Sequence, residues 1–335
     1  MGKCLVTKLN GSSNNPVLLR LGEMRMKILK VSNPTEHTQC FSLSVKKTVT
    51  LEIVSDGYFT NKTLTENKGK NITLNVGLND IWVNGNSDVE ITISDKYSLT
   101  RITTYYKNES PDKVYGKNIK FNISDLKYSN DLTFLDLSNT QVSGDIANLK
   151  NLTSLTSLSL YNTQVSGDIA NLKNLTSLTS LRLYNTQVSG DIANLKNLTS
   201  LTYISLDYTK ISGDIGELSG LIKCVNISLK GSTFTGDLSQ IPSSCPFISF
   251  GYNKNTVLSW TNRPSAANIL AIEGNAKITD VDKMLQDQAQ CQVGFTESSP
   301  AWYKIISCIG TRTSASDTAV ATLQQKGYTV SIIPE

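Results

Sequence analysis

The chain has 335 residues, of which 39% are apolar, with 32 Lys and Arg against 28 Asp and Glu. That length accommodates two domains with packed cores. A net charge of +4 without a basic run argues against a nucleic-acid partner, and no stretch is long and apolar enough to span a membrane.

Met1-Gly-Lys-Cys-Leu-Val-Thr-Lys lacks the apolar core of a secretory leader. The expected location is cytoplasmic if Met1 is native, and the cell surface or outside if a leader was removed. Residues 1–97 carry no repeat. Alternating patterns predict strands at Cys4 to Leu9, Val17 to Val31, Phe41 to Val54, Asn71 to Val76 and Asp88 to Ile93. Asn10-Gly11, Asp56-Gly57 and Asn84-Gly85 read as turns. About seven short strands in this length suggest a β-sandwich-like domain serving as scaffold, cap or attachment module. The single histidine, His37, sits in a Pro-Thr-Glu-His-Thr loop and reads as a solvated residue. Histidine is the commonest general base and metal ligand, so its scarcity argues against hydrolase triads and zinc sites. With no Gly-rich phosphate loop either, no catalytic residue, cofactor or metal is expected.

Residues 98–134 form an irregular entry to a repeat array. Ser98-Leu-Thr-Arg-Ile-Thr-Thr104 parallels Ser154 to Leu160. Lys107-Asn-Glu-Ser-Pro-Asp-Lys113 reads as a polar loop, and Ile119, Ile123 and Leu126 lead to Leu132. Copies of 23 residues then start at Leu135, Leu158 and Leu181 and differ at only three positions. These are the second (Asp136, Ser159, Arg182), the fourth (Ser138, Tyr161, Tyr184) and the last (Ser157, Ser180, Tyr203). A fixed period of this size means a solenoid in which each repeat buries its apolar face against its neighbours.

Each copy fits L-x-x-L-x-L-x-x-T-x-V, as in Leu155, Leu158, Leu160, Thr163 and Val165. Ser-Gly-Asp-Ile follows at 143–146, 166–169, 189–192 and 212–215, and Thr-Gly-Asp-Leu at 235–238. The pattern resembles the leucine-rich-repeat family, whose template is L-x-x-L-x-L-x-x-N-x-L. The Ser-Gly-Asp-Ile segment is similar to the S-G-x-I segment of its plant-type subclass, which implies a second short strand per repeat. Thr stands where the family has Asn, and a hydroxyl has fewer donors, so a weaker turn ladder is expected. The resemblance implies an α/β solenoid with parallel strands on its concave face, following an N-terminal all-β sandwich-like domain. It also implies a bacterial adhesin or host-interaction protein.

Strand alternation turns the leucines inward and the variable positions outward onto the concave face. The candidate ligand-binding residues are therefore Phe134, Asp136, Ser138, Ser159, Tyr161, Arg182, Tyr184, Tyr203, Ser205 and Asp207. Tyr161 and Tyr184 are expected to stack with Arg182 beside them, and Tyr and Arg are enriched in binding hot spots. A protein ligand is the leading partner. A glycan stacking on the tyrosines, and a spacer role in a surface or phage-type assembly, are the alternatives.

Asp145, Asp168, Asp191, Asp214 and Asp237 form a column, one per repeat. They read either as N-caps of the following turns or as a cation-binding edge, and capping is preferred because Asp is a favoured cap. Regular repeats extend over 135–260. Ile204, Ile227 and Phe250 keep the spacing, Thr209 and Ser232 continue the threonine row, and Cys224 takes an inward leucine position. Residues 261–335 read as β/α repeats or a cap. Strands are expected at Ile269 to Ile272, Tyr303 to Cys308 and Tyr328 to Ile333, with helices at Thr279 to Ala289 and Ser314 to Lys326. The cysteines Cys4, Cys40, Cys224, Cys245, Cys291 and Cys308 lack metal-ligand spacing, and their even number permits a bridge such as Cys291–Cys308 on export.

Overall fold

The computed structural model describes residues 119–252, 256–296 and 298–335, and before them only strands between Met24 and Thr103. His37, the Cys4 to Leu9 segment and the loop at 107–113 lie outside the described residues. The early strands are β1 (Met24–Ile28), β2 (Gln39–Val45), β3 (Val49–Ser55), β4 (Tyr58–Asn61), β5 (Leu64–Asn67), β6 (Asn71–Leu74), β7 (Gly77–Asn84) and β8 (Val89–Ile93). The single strand expected from Phe41 to Val54 is two, β2 and β3, and they join different sheets. Apolar alternation in the sequence runs across both of them, which hides their division.

The strand β9 (Leu99–Thr103) has two kinds of partner. It pairs antiparallel with β2 and parallel with β11 (Phe134–Asp136), placing Ile102 beside Leu135, while the short β10 (Ile119–Lys120) pairs antiparallel with β1. Parallel pairing then passes through β13 (Ser157–Ser159), β15 (Ser180–Arg182), β17 (Tyr203–Ser205) and β19 (Asn226–Ser228). Leu135, Leu158, Leu181, Ile204 and Ile227 form one inward row in register. Across the rung, Leu160, Val165, Ile169, Leu172, Leu175 and Leu178 are all at 0% exposure. Each such side chain contributes about 1.5–3 kcal/mol of burial. A second parallel sheet of β12 (Ser143–Asp145), β14 (Gln164–Asp168), β16 (Gln187–Asp191), β18 (Lys210–Asp214) and β20 (Phe234–Thr235) follows the Val-Ser-Gly-Asp segment.

The next rung departs from the expected spacing. Ile227 pairs with Ile248 in β21 (Phe247–Phe250), so this rung is 21 residues long and Phe250 is not its register partner. A loss of two residues preserves the side-chain period, so both Ile248 and Phe250 still point inward at 0% exposure. The threonine row also behaves differently. Thr140, Thr163, Thr186 and Thr209 each donate Oγ1 to the carbonyl three residues back in their own rung, at 2.6–2.7 Å. The cross-rung amide ladder runs one residue earlier. Asn162 Nδ2 donates to Asn139 Oδ1 and Asn185 Nδ2 to Asn162 Oδ1, both at 2.8 Å.

Beyond β21, β23 (Ala271–Gly274), β25 (Ile305–Ile309) and β26 (Thr329–Ile333) extend the parallel sheet. The short strands β22 (Val257–Leu258) and β24 (Lys277–Ile278) lie alongside. Two helices, α1 (Val281–Gln290) and α2 (Asp317–Gln325), replace the single turns of earlier rungs. Asp280 caps α1 by accepting from the Lys283 N–H at 3.0 Å. Helix α1 buries Met284, Leu285 and Ala289, and α2 buries Ala319 and Leu323.

Cys224, Cys245, Cys291 and Cys308 are buried free thiols, so the Cys291–Cys308 bridge is not formed. Cys291 ends α1 and donates to the carbonyls of Pro264 and Asp287, whereas Cys308 sits inside β25. Burial pushes the Cys308 thiol up from 9.0 to about 12. The folded state therefore holds this proton more tightly than the unfolded chain. The resulting stability is complete below pH 9 and declines as pH rises from 9 toward about 12. Thermal melts at stepped alkaline pH should show a smaller alkaline loss for Cys308→Ala than for the wild type, and equal losses would refute the assignment.

Candidate functional site

The exposed side of the parallel strands carries three rows of side chains across the rungs. Register places Phe134, Ser157, Ser180, Tyr203 and Asn226 in the first row, and Asp136, Ser159, Arg182, Ser205 and Ser228 in the second. Backbone bonds from Asn139, Asn162, Asn185 and Tyr208 to the next rung place Ser138, Tyr161, Tyr184, Asp207 and Lys230 in the third. All three positions that differ among the copies fall in these rows.

The aromatic residues meet in pairs. Tyr161 and Tyr184 stack with ring centroids 4.6 Å apart and planes within 11°. The Tyr184 hydroxyl accepts from Asn162 Nδ2 at 3.0 Å, which fixes the ring to the amide ladder. Burial, followed by the neighbouring Tyr161, raises the Tyr184 phenol above its ordinary value, so it stays neutral. Arg182 does not sit against this stack. Its guanidinium lies over the Tyr203 ring, 4.7 Å from the centroid, one row across. The strand pleat sends Arg182 to the second row, between the tyrosine rows, and the ring of the following rung is within its reach. Arg182 is exposed and forms no ion pair among the described residues. At the other end, Arg101 lies over Phe134 at 3.8 Å.

Ser138, Ser159, Ser205 and Asp207 are in the expected rows but are buried. Ser138 and Ser159 share a hydrogen bond of 2.7 Å. Asp207 accepts from the hydroxyls of Ser205 at 2.8 Å and Ser228 at 2.6 Å and from the Lys230 N–H at 2.8 Å. These polar atoms serve the sheet itself. Short side chains sink between larger neighbours, and period-2 alternation alone does not register that. Asp136 is half-buried and accepts the Ser138 N–H at 3.1 Å. The accessible chemistry of this face is thus a stacked phenol pair, a planar cation on an aromatic ring, and one carboxylate.

The aspartate column lies away from this face and caps turns. Asp145, Asp168, Asp191, Asp214 and Asp237 each accept the N–H two residues on, at 2.8–2.9 Å. No group of three or more metal-ligating side chains occurs among the described residues, and no described helix is long and apolar enough to cross a membrane. Sequence reading missed Tyr208 and Tyr252. They occupy the column held by Asn139, Asn162 and Asn185, where all five have positive φ. Tyrosine replacing asparagine in the repeat was the available signal.

Residues 131–174 match the family model for leucine-rich repeats in two copies. No curated protein matches the chain. Among solved structures, a TDR receptor is 20% identical over 63% of this chain and 36% of its own, with a TM-score of 0.48. An internalin from Listeria monocytogenes is 18% identical over 72% and 69% of the two chains, with a TM-score of 0.42. The plant peptide hormone receptor RGFR1, solved with RGF2, is 21% identical over 49% and 28%, with a TM-score of 0.39. The chain thus spans about a third of the length of the two receptors. The repeats matched at 131–174 and the parallel rungs stacked on them make an α/β leucine-rich-repeat solenoid.

Proposed function

We propose that this chain is a non-catalytic recognition protein that binds a protein ligand on the concave strands between Phe134 and Asp207. The observation that carries the reading is the confinement of variation. The three copies are otherwise identical, and their differences introduce Tyr161, Arg182, Tyr184 and Tyr203 side by side on one face. Rigid aromatics and a stacked guanidinium give contact area at low entropic cost, and such residues dominate binding hot spots. On this reading residues 1–97 form a β-sandwich-like attachment domain, residues 98–335 form the solenoid, and the setting is adhesion or host interaction at a bacterial surface.

The test is selection from a displayed peptide and protein library on the full chain, followed by binding to the variant Tyr161→Ala/Arg182→Ala/Tyr184→Ala. Truncating hot-spot residues typically costs 2 kcal/mol or more each, so the triple variant should lose about 100-fold or more in affinity. Its melting temperature should barely change, because none of these side chains lies in the core. Selected ligands that bind the variant as tightly as the wild type would refute the concave site and leave the solenoid as a spacer.

A further inference from the structure

At the end of each concave strand the chain turns through one residue with positive φ. In successive rungs these are Asn139, Asn162, Asn185, Tyr208, Gly231 and Tyr252. The conformation belongs to the rung, since each backbone N–H of this column through Gly231 donates to the following rung. Asparagine and glycine suit the left-handed region, whereas a bulky side chain there is a steric outlier. Tyr208 has φ 52° and Tyr252 φ 66°, so two rungs carry the disfavoured residue type.

Between them, Gly231 has φ 72°, and a Cβ placed on it would overlap the Tyr208 ring. Tyr208 thus lies across the vacant rung and reaches Tyr252, with centroids 6.0 Å apart and planes tilted by 42°. Neither ring serves the core, for Tyr208 is 47% and Tyr252 75% exposed. Residues held in a costly conformation without a packing return point to function.

The neighbours define the ligand. Asn185 is exposed beside the pair and belongs to the neutral amide ladder. The nearby charges are already engaged, Asp207 by its three donors and Lys230 by Glu273 at 3.0 Å. Two open aromatic faces that carry their own hydroxyls, beside an amide and with no free charge among the described neighbours, match the apolar faces and hydroxyl rim of a neutral sugar. The patch is also far smaller than a protein interface requires. We infer that Tyr208 and Tyr252 form a binding platform for a neutral oligosaccharide, separate from the Tyr161–Tyr184 rows.

The test titrates the full chain with cellohexaose, chitohexaose and mannohexaose by calorimetry. At least one should bind, and Tyr208→Asn and Tyr252→Asn should each weaken it at least tenfold. Because asparagine suits the positive-φ position, both variants should melt at or above the wild-type temperature, which separates lost binding from lost folding. The Tyr161→Ala/Tyr184→Ala variant should bind the sugar unchanged. Absence of binding by all three hexaoses at millimolar concentration would overturn the inference. Full binding by the asparagine variants, or loss in the Tyr161→Ala/Tyr184→Ala variant instead, would also do so.

Discussion

Replacing Arg263 with Met is expected to destabilise the C-terminal half of the solenoid by about 3 kcal/mol or more, since each buried acceptor left unpaired costs about 1–3 kcal/mol. The side chain is only 3% exposed. Its Nε donates to the Asn268 carbonyl and its Nη1 to the Ile241 carbonyl, both at 2.9 Å. Nη2 reaches the carbonyls of Pro242 at 3.3 Å and Cys245 at 3.4 Å. These carbonyls belong to the shortened rung and the turn stacked on it. The guanidinium supplies donors where regular turns are lost. Burial draws its pKa below the ordinary value, yet an arginine remains charged, so its charge is met by carbonyl dipoles. In a melt, the change corresponds to about 6–12 °C at roughly 2–4 °C per kcal/mol. Arg263→Lys keeps the charge without the fork and should recover less than half of the loss. An unchanged midpoint for Arg263→Met would show that the carbonyls find other partners.

Gly190→Ala should cost about 1–3 kcal/mol from backbone strain alone, because its φ is 110°. An added Cβ would also overlap the Asp168 carboxylate oxygen of the preceding rung. That oxygen caps the turn by accepting the Ala170 N–H at 2.8 Å, and losing such a cap costs about 0.5–2 kcal/mol. Gly190→Ala thus displaces the cap as well as straining the chain. In an Asp168→Ala background the overlap is gone and only strain remains. The double variant should be more stable than the sum of the singles predicts, by about 1 kcal/mol, the scale of coupling between residues in contact. Strict additivity in denaturant unfolding would mean that the glycine is required by φ alone.

The rungs were legible because burial dictates them. Every inward leucine of the copies has a fixed spacing, and the structure stacks them in register. The capping role of the aspartates was legible from residue type. The Gly–Asp contact between rungs was not, because it joins positions 22 residues apart that are adjacent only in the stack. Nor was the 21-residue rung, since both Ile248 and Phe250 are apolar and of the same parity. On the concave face, alternation located the rows but not depth, so the buried Ser159 and the exposed Arg182 looked equivalent. The positive-φ tyrosines were signalled only by tyrosine standing where the repeat has asparagine, and that substitution does not state the backbone angle.

The glycine of one copy receiving the carboxylate of the copy before it has a genetic consequence. Asp145, Asp168 and Asp191 each meet an identical glycine, so the three units are interchangeable parts. An unequal crossover that adds or removes one 23-residue unit recreates the leucine and Gly–Asp contacts of every junction it breaks, and only the concave side chains change partners. Array length can thus drift in steps of about 4.8 Å, the spacing of adjacent strands, without passing through an unfolded intermediate genotype. Copy number becomes a heritable variable that sets how far apart the two ends of the concave face stand.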